Sequence, residues 1–403
     1  MTDHTTPCRP VPGIRLSAVE AGIRYQDRDD LVLMALPAGT GCVAVFTRNA
    51  FCAAPVLVAK RHLATTAPRY LLINSGNANA GTGAQGLADA EASCAALAAL
   101  TACRTQEVLP FSTGVIGEPL PLSKLQAVLP TALGRMHEDA WPEAARAIMT
   151  TDTLPKLTSR RFTAAGRTAV VTGMAKGAGM IRPDMATLLA FLATDLAVEQ
   201  ALLQHCLNAA MATSFNAITV DGDTSTNDAC VLVAAGTLGN QPLQDPESPD
   251  FLAFRAAVEV VCRELATDIV RDAEGATKLV NIRVEEARDA AEARRVADTI
   301  AHSPLVKTAL FAGDPNWGRI LAAVGRAEVD RLDIQAVRIW LDDLCIVSRG
   351  GRDPDYTEAA GQATMDRKEI GIRVALGRGE ALAEVLTCDL SYEYVRINAE
   401  YRT

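Results

Sequence analysis

Short apolar runs alternate with longer amphipathic stretches along the whole chain. Apolar runs at 31–36, 42–46 and 70–74 predict three strands near the start. The run 188–193 is apolar throughout, which predicts a buried strand. Residues 37–41, Pro-Ala-Gly-Thr-Gly, are typical of a hairpin turn, so we expect the strands at 31–36 and 42–46 to pair with each other.

Helical periodicity and start signals predict the helices. Ser248-Pro249 and Ser303-Pro304 each indicate a helix N-terminus. The other helices are expected at 87–100, 122–129, 138–149 and 198–211. The last third of the chain favours strands, at 279–284, 336–347, 369–376, 382–390 and 392–398. No repeat or long linker interrupts this order, so we expect an α/β protein of two halves.

The central motif lies just before the apolar run at 188–193. A flexible Gly177-Ala-Gly179 loop and Pro183 lead to a small residue, Ala186, and then to Thr187. Thr187 therefore stands where a loop becomes a rigid element, which suits a reactive side chain. If the Ala186–Thr187 bond were cut, Thr187 would carry an α-amine with a pKa of roughly 7.7–8.0 as a base for its own hydroxyl. An ordinary strand after a glycine loop fits the same pattern.

Two further segments carry small polar residues. Ser112-Thr113-Gly114 follows an apolar run, and its glycine would let the backbone approach a ligand closely, although a simple turn has the same sequence. Residues 150–155, Thr-Thr-Asp-Thr-Leu-Pro, fit the end of a helix equally well. Lys176 is a candidate contact for a substrate carboxylate, with a solvated lysine as the alternative. None of these motif blocks contains a histidine, so a Ser-His-Asp relay is hard to build from them.

The segment Gly81–Gly86 matches the G-x-G-x-x-G pattern of dinucleotide-binding loops. It stands between a predicted strand and a predicted helix, with Glu107 about twenty residues further on. However, its glycines are well removed from the strand end, whereas a dinucleotide-binding loop turns at once. A nucleotide- or metabolite-binding protein built on this loop is the alternative from a different functional class.

Composition narrows the function classes. The 403 residues are 49% apolar and 22% charged, which is ordinary for a globular enzyme. The net charge of −9 comes without a long basic block, which argues against nucleic-acid binding and favours a small-molecule substrate. The ten cysteines are scattered without a C-x-x-C pair, so we expect reduced thiols and no metal site. No apolar run approaches membrane-spanning length and the first residues lack a targeting pattern, so we expect a cytoplasmic protein.

The residues from Lys176 to Thr187 resemble the cleavage-site motif of the ornithine acetyltransferase family, the glutamate N-acetyltransferases of arginine biosynthesis. That family typically has Lys-Gly-(Ser/Ala)-Gly-Met-Ile-x-Pro-x-Met-Ala-Thr, and this chain matches every fixed position. Asp184 occupies a position where the family more often has Asn. Further blocks that are similar to the family occur at 74–80, 220–228, 274–278 and 313–319. The block 220–228 is expected to border the active site.

The resemblance implies a layered α/β fold in which strands are packed between helices, in two lobes. It also implies autocatalytic cleavage between Ala186 and Thr187. The products would be an α chain, 1–186, and a β chain, 187–403, assembled as an α2β2 heterotetramer.

The resemblance further implies the reaction and its residues. Thr187 would take the acetyl group from N2-acetyl-L-ornithine and pass it to L-glutamate, and in many relatives acetyl-CoA is a second donor. Thr113 and Gly114 match the oxyanion hole. The residues that match substrate contacts are Thr150 or Thr151, Lys176, Thr187, Glu274, Asn398 and Thr403. No cofactor is implied. A self-processing aminopeptidase of the related amide-hydrolase group, usually with Ser as nucleophile and water as acceptor, is the alternative within the same architecture.

Overall fold

The structure, a computed structural model, describes residues 8–182 and 188–400. The chain packs into two compact units. One consists of Met1–Asn216 with Thr224–Ile269, and the other of Ala217–Asp223 with Val270–Thr403. The expected junction between Ala186 and Thr187 lies outside the described residues.

The first unit contains two sheets and six helices among its described residues. Its strands are β1 Arg15–Val19, β2 Leu31–Ala35, β3 Gly41–Phe46, β4 Tyr70–Asn74, β5 Val108–Ser112, β6 Lys156–Ala164, β7 Arg167–Lys176, β8 Leu189–Thr194 and β9 Ala229–Ala234. Its helices are α1 Ala54–Leu63, α2 Gly83–Thr101, α3 Leu122–Gly134, α4 Trp141–Ala147, α5 Gln200–Thr213 and α6 Pro249–Arg271, the last two residues of which belong to the second unit.

Each of the two sheets contains one parallel pair of strands. The four-stranded sheet has the order β1-β2-β4-β5, and its β4–β5 pair is parallel. The five-stranded sheet has the order β3-β9-β8-β7-β6, and its β8–β9 pair is parallel. Parallel neighbours end at the same sheet edge, so each parallel pair brings two loops together there.

The two sheets share a core. Met34 and Leu71 of the four-stranded sheet pack in one buried cluster with Val231 of the five-stranded sheet. The rings of Phe111 and Phe191 meet edge to face within it, with centroids 5.1 Å apart. All six residues of β8 are buried, which confirms the buried strand predicted at 188–193 and explains its uninterrupted apolar sequence.

Helices cover the outer faces of these sheets. Leu33 and Leu72, which alternate with the residues of the shared core, pack with Leu97 of α2. On the five-stranded sheet, β7 approaches α6 so closely that a Cβ added to Gly173 would lie 2.9 Å from Val261 Cγ1. The α/β class is therefore confirmed, and within this unit the strands lie between helices.

The hairpin predicted for 31–46 is wrong. β2 pairs with β1 and β4, whereas β3 pairs with β9 in the other sheet. The segment 37–40 therefore carries the chain from one sheet to the other. A turn sequence determines that the chain reverses, but the partner of each strand is chosen by packing between distant segments.

The second unit contains one six-stranded sheet and five helices among its described residues. Its strands are β10 Leu279–Ala287, β11 Arg338–Leu341, β12 Leu344–Ser348, β13 Gly351–Arg352, β14 Glu369–Ala375 and β15 Ala381–Cys388. Its helices are α7 Ala290–Ala301, α8 Pro304–Ala312, α9 Trp317–Gly325, α10 Glu358–Met365 and α11 Tyr392–Glu400. The sheet order is β13-β12-β11-β14-β10-β15, with β10 and β14 parallel.

The two predicted serine–proline helix starts are confirmed. Ser303 Oγ accepts a hydrogen bond from Val306 N, and Pro304 is the first residue of α8. Ser248 Oγ likewise accepts from Phe251 N at 3.3 Å, at the start of α6. Both signals are local, which is why the sequence alone was sufficient to locate them.

The strand predicted at 392–398 is wrong, because this segment is helix α11. Arg396 forms ion pairs with Glu393 and, at 3.3 Å, with Glu400, which are the three- and four-residue spacings that a helix brings together. None of the side chains of α11 is buried. The segment therefore lacks the apolar stripe that identifies most helices in sequence.

The run 336–347, predicted as one strand, is the β11–β12 pair.

No helix in the described ranges is both long enough and apolar enough to span a bilayer.

We predict that Phe191→Ala lowers the free energy of unfolding by about 3–5 kcal/mol, because it opens a cavity where the two sheets meet. Urea unfolding followed by circular dichroism measures the difference. Phe51→Ala is the matched control, since Phe51 is 67% exposed and its loss should change stability by less than about 0.5 kcal/mol. Equal effects of the two substitutions would contradict the packing described.

Candidate active site

Two loops run side by side from the carboxyl ends of the parallel strands β4 and β5. Thr113 N donates to Asn74 O at 3.0 Å, and Val115 N donates to Gly76 O at 3.3 Å. Ligand sites of open α/β sheets are commonly found at such carboxyl ends. The Thr113–Gly114 pair expected from sequence lies in the second of these loops.

Gly114 is a position that requires glycine. Its φ is +135°, and an added Cβ would lie 2.2 Å from Gly76 C and 2.5 Å from Asn77 N. Any side chain there would push the two loops apart. The glycine that the sequence suggested for close approach to a ligand is thus also needed for the close approach of two backbones.

The Thr113 hydroxyl and the Gly114 N–H donate no hydrogen bond to any other described residue. Thr113 is only 9% exposed, and its own N–H is bonded to Asn74 O. A hydroxyl and an adjacent N–H on a rigid loop are suitable donors for a developing oxyanion.

Asn227 connects these loops to the five-stranded sheet. Its Nδ2 donates to Ala78 O at 2.6 Å and to Ser112 O at 2.9 Å. Ala229, two residues later, begins β9, and its N–H donates to Leu188 O at 2.9 Å. A short series of hydrogen bonds therefore links the Thr113 loop to the residue that directly follows Thr187. The sequence indicated that the block 220–228 borders the site but did not identify this amide.

Lys176, the last residue of β7, lies in a buried cluster with Asp152 and Lys156. Its Nζ donates to Thr150 Oγ1 at 2.7 Å and lies 3.9 Å from Asp152 Oδ2. Thr151, the other threonine expected near the substrate, has no hydrogen bond to Lys176. Lys176 is only 8% exposed, so the alternative of a solvated lysine is wrong.

Asp152 is the centre of this cluster. Its carboxylate is fully buried, and Oδ1 accepts from Lys156 Nζ and from Gly177 N, both at 2.7 Å. Burial alone would raise the pKa of Asp152, but the two lysine ammoniums and these hydrogen bonds outweigh burial and hold the pKa well below its usual range. The carboxylate therefore stays ionised. Sequence reasoning treated it only as part of a turn before Pro155.

Asp228 is a second buried aspartate near Lys176, and its pKa is shifted in the opposite direction from that of Asp152. It is 3% exposed, and its Oδ2 has no hydrogen-bond partner in the described part of the chain. Burial raises the pKa of Asp228 well above its ordinary value, and the contacts with Ser225 and the charge of Lys176 offset only part of that rise. Burial therefore works against the charged form of Asp228, in contrast to Asp152.

Lys176 and Asp228 lie on opposite sides of the start of β8. Leu189 of β8 is in register with Lys176 of β7 and with Ala229 of β9, the residue after Asp228. In the sequence Thr187 stands two residues before Leu189. Thr187 and Ala186, the expected nucleophile and cleavage residue, lie outside the described residues.

In the second unit, Glu274 and Asn398 are hydrogen-bonded to each other. Asn398 Nδ2 donates to Glu274 Oε2 at 2.7 Å, and Glu274 is 8% exposed. Gly275 has a φ of +68°, and a Cβ there would lie 2.5 Å from Tyr394 N, so this glycine allows α11 to approach the Glu274 turn. Thr403 lies outside the described residues.

The Gly81–Gly86 segment does not have the form of a dinucleotide-binding turn. α2 begins at Gly83, well after β4 ends at Asn74. Residues 75–80 between them are all buried, and Asn79 Nδ2 donates to Gly86 O at 2.9 Å. A dinucleotide needs free N–H groups on an accessible turn directly at the strand end. Here a buried segment, 75–80, separates the strand end from the mostly exposed residues 81–86, so the glycines do not form such a turn.

Within residues 8–182 and 188–400, no three His, Cys, Asp or Glu side chains are grouped so that they could hold a metal ion. All ten cysteines are free thiols, and most are buried.

We predict that Asp228→Asn stabilises the protein at neutral pH but not in acid. The raised pKa means that protonated Asp228 contributes stability below its unfolded-state pKa of about 3.9, and that this contribution is lost as the pH rises through the folded-state pKa. Asparagine stays neutral and avoids this loss. Thermal unfolding at about pH 4 and about pH 7.5 should show the advantage of the variant growing with pH.

Asp343→Asn, in an exposed turn, controls for the removal of one negative charge. An advantage of Asp228→Asn that is the same at both pH values would mean that burial does not govern this carboxyl group.

This chain is similar to known proteins in sequence. The ArgJ family model matches residues 15–403. An arginine biosynthesis bifunctional protein ArgJ of Methylococcus capsulatus is 61% identical over 98% of this chain and 96% of its own length.

Two solved structures are also similar. The arginine biosynthesis bifunctional protein ArgJ of Bacillus halodurans is 39% identical with a TM-score of 0.50, and the match covers 52% of this chain and 98% of the solved chain. The ornithine acetyltransferase of Mycobacterium tuberculosis complexed with ornithine is 38% identical with a TM-score of 0.39. That match covers 44% of this chain and 94% of the solved chain. The resemblance inferred from residues 176–187 is confirmed by the family match, and the chain belongs to the ArgJ family of bifunctional arginine-biosynthesis enzymes.

Proposed function

We propose that this enzyme moves the acetyl group of N2-acetyl-L-ornithine to L-glutamate through an ester on Thr187, after it has cut its own chain between Ala186 and Thr187. Membership of the ArgJ family supports this assignment.

The observation that carries the proposal is the link between the Thr113 loop and Leu188. The Thr113 hydroxyl and the Gly114 N–H, the two candidate oxyanion donors, directly follow Ser112 in the chain. The carbonyl oxygen of Ser112 accepts a hydrogen bond from Asn227 Nδ2. Asn227 directly precedes the segment that hydrogen-bonds to Leu188, the residue after Thr187. Two oxyanion donors are thus tied to the same sheet edge as the residue following the proposed nucleophile.

Cleavage is the first step. Thr187 Oγ attacks the carbonyl carbon of Ala186, the C–N bond breaks as the C–O bond forms, and the nitrogen takes the proton to become the α-amine of Thr187. Water then hydrolyses this ester, which leaves a carboxylate on Ala186 and frees the Thr187 hydroxyl. The products are an α chain, 1–186, and a β chain, 187–403, for which we propose an α2β2 assembly of two lobes per αβ pair.

The length of a solved relative supports cleavage. Matching 52% of this chain is enough to cover 98% of the solved Bacillus halodurans chain. That chain is therefore about half as long as this one, which is the length expected for one product of a cut near the middle.

Acetyl transfer follows in two steps. The α-amine of Thr187 takes the hydroxyl proton, Oγ attacks the acetyl carbonyl of N2-acetyl-L-ornithine, and ornithine leaves with the proton. The amino group of glutamate then attacks the acetyl carbon of the ester, and the bond between Thr187 Oγ and the acetyl group breaks. N-acetylglutamate is released, and Oγ takes back a proton from the attacking amine. The Thr113 hydroxyl and the Gly114 N–H stabilise the negative oxygen in both tetrahedral intermediates, each donor lowering the barrier by roughly 2.7–4 kcal/mol.

For the substrate contacts, we assign the carboxylate to Lys176 and Thr150, because the buried Lys176 ammonium donates a hydrogen bond to the hydroxyl of the half-buried Thr150. Thr151, next in sequence, is the weaker of the two threonine candidates. In the second unit, we assign the substrate amino group to Glu274, with Asn398 and Thr403 as further contacts. The curated relative is bifunctional, and for the second activity we propose acetyl-CoA as an alternative acetyl donor to Thr187.

We predict that Thr187→Ala remains a single chain of 42.7 kDa, whereas the unsubstituted protein separates into two chains. The alanine variant has no side-chain oxygen to attack Ala186. Intact-mass spectrometry of the purified proteins measures this. Thr187→Ser is the matched control, because it keeps a hydroxyl group and should still be cut.

Ornithine release from N2-acetyl-L-ornithine tests the transfer itself. We expect release to require L-glutamate and to be matched by N-acetylglutamate formation, because the ester needs an amine acceptor. Release at an equal rate without glutamate would identify water as the acceptor, as in a self-processing amide hydrolase, and would refute the transferase assignment.

We predict that Thr113→Val lowers kcat by about 10²–10³-fold, because valine has nearly the same shape but removes one oxyanion donor. Thr113→Ser keeps the hydroxyl and should retain most of the activity. Steady-state rates of glutamate-dependent ornithine release give both values. An unchanged kcat in Thr113→Val, with the chain cleaved and folded, would rule out the assigned role of this hydroxyl.

A further inference from the structure

The carboxylate of Asp152 joins three segments of the first unit. Oδ1 accepts from Lys156 Nζ, at the start of β6, and from Gly177 N, directly after β7. Oδ2 accepts from Thr150 N at 3.0 Å and lies 3.9 Å from Lys176 Nζ. A fully buried carboxylate with four such neighbours is more than the counter-ion of one lysine.

The two oxygens have different neighbours. Oδ1 holds Lys156 and Gly177, the first residue of the segment that leads to the proposed cleavage site. Oδ2 is directed to Thr150 and Lys176, the two residues assigned to the substrate carboxylate. One rigid group therefore fixes the substrate donors and the start of the cleavage segment relative to each other.

We propose that Asp152 is a positioning residue for acetyl transfer, which holds the Lys176 ammonium and the Thr150 hydroxyl as a pair of donors for the substrate carboxylate and anchors Gly177. This inference rests on the proposed function, since it concerns the residues assigned there to the substrate. In this proposal Asp152 acts through Lys176, Thr150 and Gly177.

The donor directions follow from the chemistry of the pair. An ammonium group can only donate, so Thr150 Oγ1 accepts from Lys176 and the hydroxyl hydrogen of Thr150 is directed to another acceptor. A carboxylate is an acceptor of the kind that Lys176 and Thr150 would share.

The test separates positioning from charge balance. Asp152→Asn alone removes the carboxylate charge that both buried lysines contact and should destabilise the protein. The double variant Asp152→Asn/Lys156→Gln removes one charge of each sign and therefore leaves the net charge of the cluster unchanged. Lys156→Gln is the matched single control, because it removes the nearest cation while Asp152 keeps its contacts with Thr150, Lys176 and Gly177.

We expect the double variant to regain most of the decrease in thermal unfolding midpoint caused by Asp152→Asn. Its KM for N2-acetyl-L-ornithine should remain raised by about 10–100-fold, with a smaller change in kcat. Lys156→Gln should leave KM within about twofold of the unsubstituted protein, since the substrate donors remain in place. Intact-mass measurements on the same samples should show slower cleavage in the double variant, because Gly177 has lost a charged anchor.

The opposite results are equally definite. A double variant with normal KM and normal cleavage would show that Asp152 serves only as the counter-ion of Lys156. A Lys156→Gln variant whose KM rises as much as that of Asp152→Asn would show the same. An insoluble double variant would show that the carboxylate is needed for folding itself and would also overturn the proposal. Failure of the proposed function would be seen in different measurements. The unsubstituted protein would remain uncut, or ornithine would be released at the same rate with and without glutamate.

Discussion

The side-chain amide of Asn227 is the interaction on which the proposed site most depends. The segment 75–80 after β4 and Ser112 at the end of β5 are buried, so their carbonyl groups need donors from the protein rather than from water. Asn227 Nδ2 satisfies two of them, Ala78 O and Ser112 O. Because Asn227 stands just ahead of β9, this amide also fixes the Thr113–Gly114 donors relative to the sheet edge at Leu188.

Two aspartates with similar burial have opposite proton affinities in this site. Asp152 is surrounded by two ammonium groups and by backbone N–H donors, which together outweigh the cost of burying its charge. Asp228 has fewer partners and an unbonded Oδ2, so burial prevails and favours the neutral acid. Burial of the two carboxyl groups beside Lys176 therefore has opposite consequences, since only Asp152 has enough donors to favour its ionised form.

The second unit presents its candidate residues in a different way. α11 buries none of its side chains, and polar contacts connect it to the rest of that unit. Tyr394 Oη donates to Asp221 at 3.2 Å, Ser391 Oγ donates to Gly275 O at 2.6 Å, and Asn398 donates to Glu274. Each such bond contributes about 0.5–1.5 kcal/mol net. The position of Asn398 therefore depends on the geometry of a few hydrogen bonds rather than on buried apolar area.

Local features of the fold and site could be predicted from sequence, because their causes lie within a few residues. The apolar run of β8 and the caps at Ser248 and Ser303 are of this kind. The match between residues 176–187 and a family motif was likewise sufficient to identify the family. The separation of β2 and β3 into different sheets was not predictable, because the turn between them has the same sequence in either arrangement.

By itself, then, the sequence determined the element types with strong local signals, the family, and the loop that carries Thr113 and Gly114. The tertiary structure alone decided which polar groups meet: Asn227 with Ala78, 149 positions away, and Asp152 with Gly177, 25 positions away. It also decided that α11 is a helix with no buried face. The physical reason is that hydrogen bonds and burial depend on distances between segments far apart in the chain, and residue spacing along a sequence contains no direct measure of those distances.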